Sequence, residues 1–176
     1  MIRCYVTDRR HGDLIAHATR AIASGVDMIQ IREKDLPARP LVELVSAVIE
    51  LARGTSTRIV VNDRLDVALA TGADGVHLPA NGLPASMVRR HIKLLGVSTH
   101  ALDEAVQAGW DRADYIYFGP VFDTPGKKAV GLDALRKVVR GVKIPVIAIG
   151  GVTPERIAEI AQTGAAGFAA IRMFQG

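Results

Sequence analysis

Four short clusters carry residue types that could hold and activate a charged ligand. Gln30-Ile31-Arg32-Glu33-Lys34-Asp35 sets an amide and two cations, Gln30, Arg32 and Lys34, at alternate positions. Alternate residues of an extended strand share one side, and such a set suits a diphosphate. Asn62-Asp63-Arg64 offers an amide beside a carboxylate, a pair fitted to Mg2+ or to a phosphate oxygen reached through the metal. The run Gly119-Pro120-Val121-Phe122-Asp123-Thr124-Pro125-Gly126-Lys127-Lys128 is long enough to close on a ligand. Gly150-Gly151-Val152-Thr153-Pro154-Glu155 gives bare backbone, then Thr153 as a helix N-cap and Pro154 as the first helical residue. That is the make-up of an anion site.

Each cluster also has a plainer structural reading. Gln30, Arg32 and Lys34 fit an ion-pair rim, Gly150-Gly151 a tight turn, and Thr124 with Lys127 the decoration of a loop. The neighbouring Asn62-Asp63 favours function for the first cluster. The recurrent phosphate site after strand seven of barrels favours it for the glycines. His77 and His100 end strands, but no Cys/His spacing of a zinc site accompanies them. Ser98 shows no partnered base, so a nucleophile is not expected there. Cys4, Tyr115, Tyr117 and Phe118 read as core.

The elements that must position these clusters repeat along the chain. Strands are expected at Cys4–Thr7, Met28–Arg32, Arg58–Asn62, Gly75–Leu78, Leu95–Ser98, Tyr115–Gly119, Pro145–Gly150 and Gly167–Arg172. Several are nearly all apolar, as parallel strands covered on both faces are. Amphipathic stretches such as Asp13–Ser24, Pro40–Arg53 and Pro154–Thr163 alternate with them. Gly25, Gly54, Gly72, Gly109 and Gly164 mark helix ends. The even spacing, with no G-x-G-x-x-G after strand one, favours a closed (β/α)8 TIM barrel over an open doubly wound sheet. One domain over residues 1–176 is expected. About four residues follow strand eight, so an eighth helix is expected to be missing. The seam left beside strand one is a candidate homodimer surface.

Composition narrows the function classes. The chain is 49% hydrophobic, 23% charged and 5% aromatic, with a single cysteine and a net charge of +4. Its arginines are dispersed and no aromatic platform accompanies them, so nucleic acid is not an expected partner. Mild basicity suits an anionic small substrate equally well. No apolar run reaches membrane-spanning length, and the first residues lack the pattern of a signal peptide. One cysteine cannot pair internally, so a cytoplasmic location is expected.

Taken together, six stretches resemble the thiamine-phosphate synthase family and its sister branch, the TenI-type thiazole tautomerases. They are Gln30 to Asp35, Asn62 to Ala70, Gly72 to Leu78, Gly96 to His100, Gly119 to Phe122 and Ala148 to Val152. The resemblance implies a TIM barrel that couples hydroxymethylpyrimidine diphosphate to thiazole phosphate and releases diphosphate. It implies that Arg32, Lys34, Asn62 and Lys127 hold the diphosphate and that Asp63 binds Mg2+. Gln30 and Ser98 would contact the pyrimidine. Thr124, Gly150 and Gly151 would serve the thiazole phosphate, beside Ile171 and Arg172 at the end of strand eight. Four positions depart from the pattern. Gly82 replaces a second metal carboxylate, and Gly126 replaces a common hydroxyl residue. Arg172 follows Ile171 where Ser is usual, and either binds the phosphate or fills its site. The acid/base histidine of some tautomerases would fall at Pro120. Two alternatives to the synthase follow, a thiazole tautomerase and a non-catalytic thiazole-phosphate binder.

Overall fold

A computed structural model describes residues 1–175. Eight strands run β1 (Ile2–Val6), β2 (Met28–Ile31), β3 (Arg58–Asn62), β4 (Gly75–Leu78), β5 (Leu94–Thr99), β6 (Tyr115–Phe118), β7 (Val146–Ile149) and β8 (Gly167–Ala170). All pair in parallel with their sequence neighbours, and β8 closes on β1. The fold is the expected TIM barrel. The helices are α1 (Leu14–Ala23), α2 (Ala38–Ala52), α3 (Leu65–Thr71), α4 (Ala85–Val88), α5 (Leu102–Trp110), α6 (Gly131–Gly141) and α7 (Ile157–Ala161).

Helical spacing sets what each helix buries. In α2, Leu41, Val45, Val48 and Ala52 lie on one face and are buried. In α1, Leu14, His17, Ala18 and Ala21 do the same, and the Asp13 carboxylate caps the helix by accepting from the Ile15 and Ala16 amides. Inside the barrel, Cys4, Val6, Met28, Val60, Tyr115, Tyr117, Ile147 and Ala169 form a separate core.

One unit recurs before every even strand. A residue with positive φ (Gly25, Gly72, Arg112 or Gly164) is followed by a buried apolar residue (Val26, Ala73, Ala113 or Ala165). Next comes Asp27, Asp74, Asp114 or Ala166. The amide of this last residue donates to the carbonyl of Arg3, Ile59, Leu95 or Val146 on the preceding odd strand. In the first three units the aspartate carboxylate also accepts the amide of that same residue, each at 2.7 Å. The two hydrogen bonds grip the strand from below and fix its register. Ala166 makes the backbone bond without a carboxylate.

Some expected boundaries move. Arg32, Gly119, Gly150, Ile171 and Arg172 fall just beyond their strands. Helix α5 runs through Gly109, and the left-handed turn that follows is made by Arg112. Helix α2 starts two residues before Pro40, and Pro154–Thr163 divides into a 3-10 turn and the short α7. After β8 there is a 3-10 turn, Arg172–Phe174. The Phe174 ring lies 5.5 Å from that of Tyr5, so this turn packs against β1. Among the described residues no helix is long and apolar enough to cross a membrane.

Candidate active site

The strands end at one mouth, and most of the chemical groups picked out in the sequence meet there. On β2, the buried Gln30 points inward and its amide donates to the Asn62 side-chain carbonyl on β3 at 3.1 Å. The alternation stops at Ile31. Glu33 turns inward and is buried, accepting from the Thr7 hydroxyl at 2.7 Å and from the Arg9 amide at 3.2 and 3.3 Å. Thr7 Oγ1 in turn accepts the Arg32 amide at 2.9 Å. This clamp fixes the backbone that carries Arg32, whose side chain is half-buried. Lys34 lies past the clamp and is exposed.

Asp63 turns the corner after β3 in the left-handed region, φ 63°, with its amide donating to the His77 carbonyl at 2.9 Å. Its carboxylate is exposed. The neighbouring Arg64 is held by Asp66 at 2.7 and 2.9 Å. Asp63 therefore has no ion-pair partner among the described residues. A Cβ added at Gly82 would stand 3.0 Å from Asp63 Oδ1, so position 82 adjoins this carboxylate. Among the described residues no three His, Cys, Asp or Glu side chains converge as a metal cage. One carboxylate that can share the ion with a ligand's phosphate oxygens and water is a donor set that fits Mg2+.

Ser98 is not alone, contrary to the expectation from sequence. Its Oγ lies 2.8 Å from His77 Nε2, and His77 Nδ1 lies 3.1 Å from the Tyr115 hydroxyl. This is no nucleophile–base pair. Burial, with a smaller contribution from the Arg32 charge, pushes the His77 pKa down to about 3. A base that weak is neutral and takes no proton from serine near neutrality.

On the other side of the mouth, the loop after β6 folds over the loop after β7. Thr124 and Lys127 pair through both backbone hydrogen bonds, at 3.0 and 3.1 Å, around a Pro125-Gly126 turn. Lys127 is exposed. Gly150 and Gly151 have φ of 95° and 66°, and added Cβ atoms would come within 2.5 Å of Pro120 and 2.8 Å of Phe122. Only glycine permits this close approach. Thr153 occupies the N-cap position but makes no capping bond, and only a 3-10 turn and the five-residue α7 follow. The expected helix N-terminus is therefore not formed at Thr153, and what the two glycines offer is loop backbone. Arg156, not singled out in the sequence, donates to the Gly151 carbonyl at 2.7 Å and covers the Phe122 ring at 4.4 Å. Arg172 is exposed in its 3-10 turn after β8.

A cavity of about 990 Å³ opens at the opposite end, among strand starts such as Met28, Arg58 and Leu94. The catalytic end of such barrels is the other one, and the convergent polar groups lie there.

Residues 4–174 match the family described as thiamine monophosphate synthase. The chain belongs to the thiamine-phosphate synthase family. Among relatives of the same description, a putative thiamine-phosphate synthase of Geobacter sulfurreducens is 45% identical over 94% of this chain and 83% of its own. The thiamine-phosphate synthase of Moorella thermoacetica is 46% identical over 86% and 75% respectively. The solved thiamine phosphate pyrophosphorylase of Pyrococcus furiosus superposes with a TM-score of 0.91 at 36% identity, covering 97% of this chain and 85% of its own. A likeness to N-acetylmannosamine-6-phosphate 2-epimerase of Clostridium perfringens, at 17% identity and a TM-score of 0.74, concerns the barrel alone.

Proposed function

We propose that the chain is a thiamine-phosphate synthase, a transferase joining hydroxymethylpyrimidine diphosphate to thiazole phosphate. The observation that carries this reading is Asp63, an exposed carboxylate beside the Gln30–Asn62 pair that has no ion-pair partner among the described residues. The coupling breaks the bond from the pyrimidine methylene carbon to the diphosphate oxygen and forms a bond from that carbon to the thiazole nitrogen. Negative charge grows on the leaving group while positive charge grows on the carbon, so catalysis consists of stabilising the first and aligning the nitrogen with the second. Arg32, Lys34, Asn62 and Lys127 hold the diphosphate, with Asp63 as the protein ligand of Mg2+. The ion, when bound, neutralises charge on the departing diphosphate. Gln30 and Ser98 hold the pyrimidine. Thr124, Gly150 and Gly151, with Ile171 and Arg172, receive the thiazole phosphate. The coupling needs no general base, in keeping with the weakly basic His77.

Incubation with both substrates and Mg2+, followed by chromatography, should yield thiamine phosphate and diphosphate in equal amounts. Isomerisation of a thiazole carboxylate phosphate without coupling would favour the tautomerase instead, a reading to which the missing carboxylate at Gly82 lends weight. The enzyme is further proposed to work in the cytoplasm, in keeping with a single buried cysteine, and to form a homodimer. Sedimentation of the protein at rising concentration checks the latter.

A further inference from the structure

Ser98, His77 and Tyr115 line up across three adjacent strands, with His77 paired to Gly96 and Gly96 to Tyr115 in register. A Cβ at Gly96 would lie 2.4 Å from the Tyr115 hydroxyl and 2.5 Å from His77 Nδ1. The hydrogen bond between these two groups thus fills the space where a side chain of residue 96 would begin. Gly96 has no positive φ, so close approach is what keeps it bare.

The chain of hydrogen bonds has a direction. Both ends are hydroxyls, which can donate or accept, and a neutral imidazole between them carries one N–H. Among the described residues the buried Tyr115 hydroxyl has His77 Nδ1 as its one hydrogen-bond partner. A phenol proton left without an acceptor in the barrel interior would forfeit its hydrogen bond. Tyr115 therefore donates to Nδ1, the imidazole proton sits on Nε2, and Nε2–H donates to Ser98 Oγ. The Tyr117 ring, centred 4.1 Å from that of His77, packs against the imidazole.

We propose that Tyr115 and His77 are positioning residues that fix the polarity of Ser98, so that its hydroxyl proton is presented to the barrel mouth and recognises a hydrogen-bond acceptor on the ligand. This deepens the synthase reading and rests on it for the ligand: the acceptor is a ring nitrogen of the pyrimidine. With the opposite tautomer Ser98 would donate inward to Nε2 and offer the ligand lone pairs alone.

Histidine-selective 15N NMR of the wild-type protein, without ligand, tests the direction. The expected result is a His77 proton on Nε2, unchanged between about pH 5 and 8. A proton on Nδ1, or an imidazole that charges within that range, would overturn the proposal. Binding of hydroxymethylpyrimidine diphosphate to Tyr115→Phe, Ser98→Ala and the double variant supplies the second readout. Tyr115→Phe is expected to weaken binding about fivefold, the scale of a neutral hydrogen bond. It should leave thiazole phosphate binding unchanged and add nothing once Ser98 is alanine. Additive losses, or equal losses for both ligands, would mean that Tyr115 acts through packing alone and would overturn it. Failure of the wild type to bind the pyrimidine would sink the synthase reading, and the tautomer would still decide the direction of the chain.

Discussion

Restoring a carboxylate at position 82 is the most searching perturbation of the site. A Cβ there stands 3.0 Å from Asp63 Oδ1 and 2.9 Å from Pro79 Cδ. In Gly82→Asp the new carboxylate oxygens fall roughly 3–5 Å from those of Asp63, and one octahedral Mg2+ at about 2.1 Å from each ligand bridges oxygens about 3 Å apart. Without metal, two such charges repel by about 1 kcal/mol in a water-like medium and by several times that where solvent is partly excluded. Asp63 is exposed, so the low end applies, with a small addition for displacing the Pro79 ring. The metal-free variant should melt a few degrees below the wild type, at roughly 2–4 °C per kcal/mol for a chain of this size. Mg2+ should recover that loss. Relief of the repulsion and the second ligand bond should together lower the Mg2+ concentration for half-maximal coupling about tenfold, equivalent to about 1.4 kcal/mol. The assays are diphosphate release against MgCl2 and calorimetric melting with and without chelator. An unchanged Mg2+ midpoint, or a melting loss that Mg2+ does not recover, would refute the shared-metal geometry. Absence of coupling in both proteins would move the assignment to the tautomerase or the binder.

Three further outcomes follow from the geometry. Arg32→Ala should weaken diphosphate binding by about 1.5–3 kcal/mol, the scale of a charge-assisted hydrogen bond, as read by calorimetric titration. Ala166→Asp should supply the carboxylate missing from the fourth repeat, accept the Val146 amide and raise stability by about 1 kcal/mol in urea unfolding. His77 is held near a pKa of about 3 by burial, whereas in the unfolded chain it titrates near 6.5. The unfolded state then binds the extra proton, so His77 should cost stability progressively as pH falls from about 6.5 towards 3 and cost nothing above that window. Urea unfolding across that range should show the slope in the wild type and a shallower one in His77→Asn.

The barrel was legible because its signals are local. Apolar runs of strand length alternate with stretches such as 38–52, whose buried residues recur at helical spacing. Gln30, Asn62 and Asp63 could be placed at the mouth because each sits at a strand end. What escaped depends on pairing between strands some twenty residues apart, which leaves no periodic trace. Nothing local says that His77 backs Ser98 or that Glu33 turns inward to Thr7. Gly109 looked like a helix end because glycine is the usual left-handed residue. Arg112 takes that conformation instead, two residues before the aspartate that latches β5. Thr153 had the right type for a cap, but α7 is too short and starts too late to use it.

The uneven latching beneath the strands should divide the barrel into sectors of different mobility. Three strand pairs are closed at their lower ends by a carboxylate, and the β7–β8 pair is closed by backbone alone. That pair, without a carboxylate latch, bears Gly150, Gly151, Ile171 and Arg172 on its upper ends, the loops proposed above to receive the thiazole phosphate. Breathing of this sector would loosen one substrate's seat while the Gln30–Asn62 side stays rigid. Amide exchange should therefore be fastest in β7 and β8 and slow most when the thiazole phosphate binds. If the ligand does that latching, order of binding should become a property of the scaffold, with the Gln30–Asn62 half built in advance and the β7–β8 half completed by the molecule it receives.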